Sequence, residues 1–301
     1  MLQITADLFS GRENPVWSIP DDEEVRATLR EIARNRALFA DGASSDAGLG
    51  FRGFSIDVLN DELAMDLGTS STYLRADAAA GPARELANRL IAATEKVEVR
   101  QTVDGMPAFG GQELKSFISR QLDREKGISI PDASTTTAPE DVERAAAITC
   151  TIELAPYNPG FWNNNPAVMR NNNCYNYASN KRTDTFAQPG RGCGHMYTAI
   201  NCGAVGAAAL CDGLHHRFDC FPDSEKPRYL VALVIAPGPG FIDFHWYRKL
   251  KEGFWGHKPG GTAVRNVDNS GHVIYDPSRC DRGPYTIFCG YFYTCRTQRI
   301  R

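Results

Sequence analysis

The distribution of cysteine and histidine divides the chain into two chemically different halves. All six histidines follow residue 190, and eight of the nine cysteines follow residue 170, with Cys150 as the ninth. Residues 1–150 carry 25 Asp and Glu against 16 Lys and Arg, a net charge of −9, whereas residues 151–301 carry 11 against 17, a net charge of +6. A chain of 301 residues is long enough for two domains. We therefore expect two domains, with the groups that react near neutral pH concentrated in the second.

Composition narrows the class of protein and its partners. The 42% hydrophobic and 23% charged content is that of a soluble globular protein, and no apolar run reaches 18 residues, so no membrane partner is expected. A net charge of +6 is too small to predict nucleic-acid binding. The N-terminus lacks the basic and apolar regions of a secretory leader, which predicts a cytoplasmic protein, whereas the cysteine content indicates secretion by a non-classical route.

The first half has the pattern of an acidic α+β module, which we assign to residues 1–130. Period-two alternation predicts three strands, namely "LQITADLF", "VWSI" and "GFRGFSIDVL". Helical spacing predicts three helices, namely "EEVRATLREIARNRALF", "ARELANRLIAATE" and "QELKSFISRQLD". Because this half carries no histidine and its carboxylates have no fixed spacing, we expect a recognition or folding module without catalytic chemistry.

A stretch rich in Pro, Ser, Thr and Ala separates the two halves. It predicts a linker over residues 131–146, followed by a second domain over residues 147–301. In that domain "MYTAINCGAVGAAALCDGL" predicts a small-residue helix. Aromatic and β-branched segments between turns predict five strands, namely "RYLVALVIA", "FIDFHWYRKL", "GFWGHK", "HVIYD" and "YTIFCGYFYTC". Helices followed by an antiparallel sheet make the second domain α+β as well.

Cys174 stands in an unusually polar segment, "RNNNCYNYASN". An asparagine at 172 or 173 is a good N-cap, which would place the cysteine in the first turn of a helix. The backbone N–H groups there stabilise a thiolate, which is the reactive form of cysteine, and Asn172 or Asn173 could offer an amide to an oxyanion. The alternative is a disulfide or a buried core thiol.

Two histidines twelve residues apart supply candidate partners for that thiol. In "FIDFHWYRKL", strand alternation puts Asp243, His245 and Tyr247 on one face, where the imidazole can act as a general base. The spacing to His257 suits two neighbouring antiparallel strands, so His257 would orient the base. Asp276 in "HVIYD" is a second candidate for that role. The alternative is a pair of hydrogen-bonded structural histidines.

The order of these elements resembles a known family. A cysteine at a helix start, a histidine on a strand and a second polar residue on the next strand are similar to papain-like cysteine hydrolases, and closest to the NlpC-type cell-wall peptidases with their Cys–His–His set. The resemblance covers roughly residues 170–295, and the cysteine itself stands in "NNCYNYA". It implies a helix-plus-antiparallel-sheet fold and a peptide or amide substrate. It further implies Cys174 as nucleophile, His245 as base and His257 or Asp276 as the orienting residue.

The same residue types also fit two classes of protein without catalysis. A zinc-stabilised interaction module would take its ligands from one Cys- and His-rich region, with Cys193, His195, His216 and Cys220 as one tetrahedral set. A disulfide-rich secreted binding or effector protein would instead pair its cysteines. Nine cysteines allow at most four bridges, and if eight pair, Cys174 is the best candidate for the remaining thiol. The remaining seven candidate bridge halves are Cys193, Cys202, Cys211, Cys220, Cys280, Cys289 and Cys295.

Overall fold

The computed structural model describes residues 1–20, 22–34, 39–40, 47–75, 82–94, 111–122, 152–217 and 222–301. The chain divides into two compact units. Unit 1 comprises Met1–Leu8, Glu13–Ser129 and Pro239–Phe241, and unit 2 comprises Phe9–Arg12, Ile130–Gly238 and Ile242–Arg301. Each unit therefore includes a short stretch of chain from the other end of the sequence. The predicted linker at residues 131–146 lies outside the described residues, and the predicted domain limits stay predictions.

Unit 1 contains a five-stranded antiparallel sheet in the order β2-β1-β4-β5-β3. The strands are β1 (Leu2–Asp7), β2 (Val16–Ile19), β3 (Phe39–Ala40), β4 (Gly53–Val58) and β5 (Ser71–Arg75). In β1, Leu2, Ile4 and Ala6 are fully buried while the residues between them are half-buried, as the alternation in "LQITAD" predicts. The register sets Ile4 opposite both Trp17 and Ile56, so one face of this sheet is continuously apolar.

Four helices complete the described part of unit 1. They are α1 (Glu23–Arg34), α2 (Asp61–Leu67), α3 (Pro82–Thr94) and α4 (Gly111–Leu122). The helix α2 was not predicted, yet it begins at an Asn60 cap that accepts from the Leu63 N–H and ends at Gly68 in the left-handed conformation. The segments "ARELANRLIAATE" and "QELKSFISRQLD" form α3 and α4, as the sequence predicts, and their Leu86, Leu90, Leu114 and Ile118 side chains are buried.

Unit 2 contains a second five-stranded antiparallel sheet, in the order β6-β10-β7-β8-β9. Its strands are β6 (His215–His216), β7 (Leu230–Pro237), β8 (Ile242–Lys249), β9 (Trp255–His257) and β10 (Ile287–Tyr293). The helices are α5 (Gly160–Asn163), α6 (Pro166–Asn171), α7 (Cys174–Ser179) and α8 (Cys202–Cys211), with a 3-10 turn at Asp223–Glu225. The α+β class predicted from the sequence is confirmed at this coarse level.

Two predicted elements of the second half differ from the structure. Residues 272–276 do not form a strand: Val273 makes a single bridge to Val267, and Ile274 exchanges backbone hydrogen bonds with Trp255 and Asn266. The small-residue helix begins at Cys202 rather than Met196, because Asn201 caps it by accepting from the Ala204 N–H. Within the described ranges no helix is long and apolar enough to cross a membrane.

Candidate functional site

The helix α7 begins at Cys174 because a reciprocal pair of asparagines caps it. The Asn173 side-chain oxygen accepts from the N–H groups of Tyr175 and Asn176, each at 3.1 Å, and the Asn176 side-chain oxygen accepts from the Asn173 N–H at 2.9 Å. The helix ends at Asn180, which is in the left-handed conformation. The polar run around Cys174 is thus explained by capping, and the helix start predicted from the sequence is confirmed.

Cys174 is a free thiol inside unit 2. It is completely buried, and its Sγ lies 4.0 Å from the carbonyl oxygen of Phe244 on strand β8. Burial raises the pKa of the Cys174 thiol well above its usual range, and the charge of Asp243 raises it further. The Trp246 N–H and the Lys258 charge act in the opposite direction. As folded, the sulfur is therefore a neutral, solvent-inaccessible thiol.

His245 and His257 meet on adjacent strands, as the twelve-residue spacing predicts. The hairpin of β8 and β9 sets Tyr247 opposite His257, and the His245 Nε2 lies 2.9 Å from the His257 Nδ1. The second ring nitrogen of His257, Nε2, lies 3.0 Å from the Val267 carbonyl oxygen. Both imidazoles are buried, and the His245 ring packs edge-on against Tyr247.

The hydrogen bonds determine the tautomers of both histidines. A carbonyl oxygen only accepts, so His257 Nε2 carries the proton and donates to Val267. Burial, together with the nearby Arg265, lowers the pKa of His257 to about 3, so this ring is neutral and its Nδ1 accepts. His245 Nε2 must then donate to His257, which leaves the lone pair of His245 on Nδ1. This is the tautomer that an orienting residue imposes on a general base.

Asp276, the second candidate for orienting His245, makes contacts with other residues. Asp276 accepts from Ser278 and from the Tyr291 hydroxyl, and lies 3.6 Å from Arg279. Burial raises the pKa of Asp276, but the hydrogen bonds from Ser278 and Tyr291 outweigh burial and lower it overall. Of the two candidates for orienting His245, the geometry therefore favours His257 and not Asp276.

The two asparagines proposed as oxyanion donors already use their amide groups. Asn173 donates to the Gly11 and Ala187 carbonyl oxygens, both at 2.8 Å. Asn172 donates to the Val168 carbonyl oxygen and to Asp184. Neither amide is directed at solvent, because both residues are completely buried. In this state neither amide is available to an oxyanion.

The described cysteines form two disulfides and leave three free thiols. Disulfides join Cys193 to Cys211 and Cys202 to Cys289, whereas Cys280 and Cys295 are free thiols along with Cys174. The condition that eight cysteines pair is therefore not met, since the sulfurs of Cys280 and Cys295 contact backbone carbonyl oxygens instead of another sulfur, while Cys174 is unpaired. Cys150 and Cys220 lie outside the described residues.

One of the disulfides rules out the four-residue zinc site that the sequence suggested. Cys193 cannot supply a thiolate ligand, because its sulfur is bonded to Cys211. His195 is exposed, and His216 stacks on the Phe292 ring with the two centroids 5.9 Å apart. Among the residues that the structure describes, no three His, Cys, Asp or Glu side chains are grouped as metal ligands.

Three further buried polar residues of unit 2 have contacts that were not predicted. Asp243 is fully buried and accepts hydrogen bonds from the backbone N–H groups of Ser10, Gly11 and Arg12 and from the Tyr285 hydroxyl. Gln188 donates to the Gly11 carbonyl oxygen, and Lys258 donates to three backbone carbonyl oxygens. No sequence motif pointed to these contacts, because Ser10–Arg12 and Asp243 are more than 230 residues apart.

The fold, its two disulfides and the buried pair of His245 and His257 define a disulfide-linked α+β protein with a histidine pair in its core. Comparison with known proteins finds the insoluble matrix shell protein 1 of Ruditapes philippinarum, which is 46% identical over 148 residues. The match covers 49% of this chain and 93% of the relative. The chain therefore belongs to the same family as this shell protein, and about half of it has no counterpart in the relative. No protein-family model matches the chain. No solved structure matches it either.

Proposed function

We propose that this chain is a secreted, disulfide-stabilised structural protein of an insoluble extracellular matrix. In this role Cys174 and the pair of His245 and His257 are parts of the folded core and have no catalytic task. The observation that carries the proposal is the state of Cys174, whose side chain has no solvent-exposed surface and whose pKa is raised by burial. A nucleophile needs both access and thiolate character, and this thiol has neither.

The disulfides support an oxidising compartment. Both described bridges lie in unit 2, where they close loops of 18 and 87 residues. Such bonds persist outside the cytosol and are rare within it. The shell protein of Ruditapes philippinarum is named as an insoluble matrix protein, and its 46% identity to this chain supports a similar location.

Retention in an insoluble matrix is tested by fractionating material secreted by cells that express the chain. We expect the wild type in the insoluble extracellular fraction, released only when reductant and denaturant are combined. Cys174→Ala should behave identically, because a core methyl group replaces a buried thiol of similar shape. Cys202→Ala with Cys289→Ala should release the chain into the soluble fraction. Equal solubility of all three proteins, or retention inside the cell, would contradict the proposal.

A second candidate function is cysteine hydrolysis of a peptide or amide. The specific observation in its favour is the tautomer of His245, whose Nε2–H donates to His257 and whose Nδ1 carries the lone pair that a thiol proton requires. In that reaction the Cys174 sulfur attacks the carbonyl carbon, and His245 takes the thiol proton and returns it to the leaving amine. Water then hydrolyses the thioester. The reaction requires a state in which Cys174 is uncovered.

Turnover separates the two candidates. The wild type, Cys174→Ala and His245→Gln are assayed on a fluorogenic peptide library under oxidising conditions. The structural proposal expects no turnover from any of them. Turnover by the wild type that Cys174→Ala abolishes would favour the hydrolase, and Cys280→Ala is the matched control because it removes a different free thiol.

A further inference from the structure

A four-residue segment near the N-terminus is bound inside unit 2. Phe9–Arg12 belongs to unit 2, although the chain on both sides of it belongs to unit 1. Phe9, Ser10 and Arg12 are at most 2% exposed, and Gly11 is buried. The segment forms no strand or helix, so its backbone polar groups need partners from elsewhere in unit 2.

The carboxylate of Asp243 binds the N–H groups of this segment. The Ser10, Gly11 and Arg12 nitrogens lie 2.6, 3.2 and 3.0 Å from its oxygens. The Arg12 guanidinium adds a hydrogen bond to the Ile242 carbonyl oxygen at 3.3 Å. Three consecutive N–H groups on one carboxylate form a short anion-binding turn, which fixes the direction of the segment.

Two side chains and one backbone N–H group of unit 2 bind carbonyl groups of the same segment. The Gly11 carbonyl oxygen accepts from Asn173 Nδ2 and from Gln188 Nε2, each at 2.8 Å. The Ser10 carbonyl oxygen faces the Cys174 N–H at 3.4 Å. At both Ser10 and Gly11, therefore, the backbone N–H donates to unit 2 and the backbone carbonyl oxygen accepts from unit 2. An extended peptide ligand is recognised by the same kind of main-chain hydrogen bonds.

The aromatic ring of Phe244 restricts which residue can occupy the middle of the segment. A Cβ atom added to Gly11 would lie 2.4 Å from that ring, closer than real Cβ contacts come. Phe244 is fully buried between neighbours, so its ring has little room to move away. Glycine is required at position 11 because of this close approach.

We propose that the groove lined by Asn173, Gln188, Asp243 and Phe244 is a peptide-binding site, occupied here by Phe9–Arg12 of the same chain. Its ligand is a peptide with a glycine between two hydrogen-bonded peptide units. When the segment leaves, Cys174 is exposed at the base of the groove. This inference concerns binding, and it holds whether or not Cys174 ever attacks a substrate.

The test measures how fast iodoacetamide labels Cys174 in the folded full-length chain. Gly11→Ala should displace the segment, because overpacking costs about 1–3 kcal/mol, and should raise the Cys174 labelling rate about tenfold or more. Gly203→Ala is the matched control, since a Cβ there meets only Asn201 at an ordinary 3.5 Å. Peptide mass spectrometry follows Cys295 as an internal reference, because this free thiol is also buried.

A synthetic peptide tests recognition directly. Acetyl-Phe-Ser-Gly-Arg-Glu-amide should restore protection of Cys174 in the Gly11→Ala protein, and the same peptide with alanine in place of glycine should not. Equal labelling of Cys174 in Gly11→Ala and Gly203→Ala would overturn the proposal, as would equal protection by the two peptides.

A milder variant keeps the test decisive if Gly11→Ala does not fold. Arg12→Ala removes the hydrogen bond to the Ile242 carbonyl oxygen and leaves the backbone contacts in place. Loss of a hydrogen bond from a charged group should raise Cys174 labelling by about threefold or more relative to Cys295. A rate equal to that of the wild type would overturn the proposal by itself.

Discussion

The two five-stranded sheets of this protein are built on different burial patterns. In strand β1 of unit 1, buried and half-buried residues alternate, and strand β4 has nearly the same pattern. In strands β7 and β8 of unit 2, six consecutive residues of each are buried. The first sheet thus has one core face, whereas the centre of the second is enclosed on both faces.

Enclosure on both faces changes what a polar residue in a strand means. Asp243, His245 and Arg248 lie in β8 and are at most 3% exposed, so each needs hydrogen-bond partners inside the protein. Asp57 of β4 is only half-buried, and its carboxylate accepts from the partly exposed Ser71 hydroxyl. A polar side chain on the half-buried face of the first sheet can hydrogen-bond with water, whereas one in the centre of the second sheet needs a partner inside the protein.

The largest expected difference between the units comes from disulfides. Cys202→Ala with Cys289→Ala opens an 87-residue loop and should cost about 4–5 kcal/mol of unfolding free energy, against about 3 kcal/mol for Cys193→Ala with Cys211→Ala. Hydrogen exchange should show the loss in peptides of unit 2. Peptides from residues 13–94, a stretch of unit 1 without cysteine, serve as the control. Equal losses in both sets of peptides would break the comparison.

Sequence patterns predicted the first sheet better than the second for a physical reason. Alternation in "LQITAD" reports a sheet with one wet face, and the structure follows it residue by residue. In "FIDFHWYRKL" the same rule assigned Ile242, Phe244 and Trp246 to the core and left Asp243, His245 and Tyr247 on a more polar face. All of these residues are buried except Ile242, which is half-buried, because β8 lies between β7 and β9 and both of its faces are covered.

The candidate site was predicted where it depends on local sequence and missed where it depends on distant contacts. The Asn173 cap, the start of α7 and the pairing of His245 with His257 follow from short-range spacing. The burial of Cys174 and the binding of Phe9–Arg12 do not, because the contacts of Ser10 and Gly11 with Asp243 span more than 230 residues. Reactivity was inferred from residue type, whereas access depends on tertiary packing.

Adjacent substitutions in one strand of each sheet test the burial patterns. In β4, Ile56→Ala should cost about 2–5 kcal/mol because the residue is fully buried, while Ser55→Ala should stay within about 0.5 kcal/mol. In β8, Trp246→Ala and Tyr247→Ala should each cost about 3–5 kcal/mol, since both are completely buried. Urea unfolding measures all four. A Tyr247 variant as mild as the Ser55 variant would contradict enclosure of β8.

The next expected difference between the units is the loss of folding stability in acid, which in unit 2 depends on His257. Its pKa is lowered to about 3 in the fold, so between about pH 6.5 and about pH 3 the unfolded chain binds the proton and the folded chain does not. Stability from this residue is therefore complete above about pH 6.5 and is lost as pH falls, by at most about 1.4 kcal/mol per pH unit. Hydrogen exchange of residues 242–257, measured from about pH 6.5 to about pH 4.5, follows it.

Two variants assign that slope to one histidine. His257→Gln should reduce the loss of stability per pH unit, because glutamine does not titrate, even though the variant is less stable at every pH. His272→Gln is the control, since that side chain is 81% exposed. Identical slopes for His257→Gln and the wild type would show that the pKa of His257 is not lowered in the fold, and would remove this support for the tautomer assignment of His245.

Helix caps should give the smallest effects and no difference between the units. Asn60 caps α2 by accepting from the Leu63 N–H, and Asn201 caps α8 by accepting from the Ala204 N–H. Asn60→Ala and Asn201→Ala should each cost about 1 kcal/mol, because each leaves one N–H to water. Urea unfolding of both variants measures it. Neither cap residue is buried, so equal costs would show that the units differ in the burial of their sheets and not in how their helices are capped. A much larger cost for Asn201→Ala would instead show that the start of α8 is as enclosed as the second sheet.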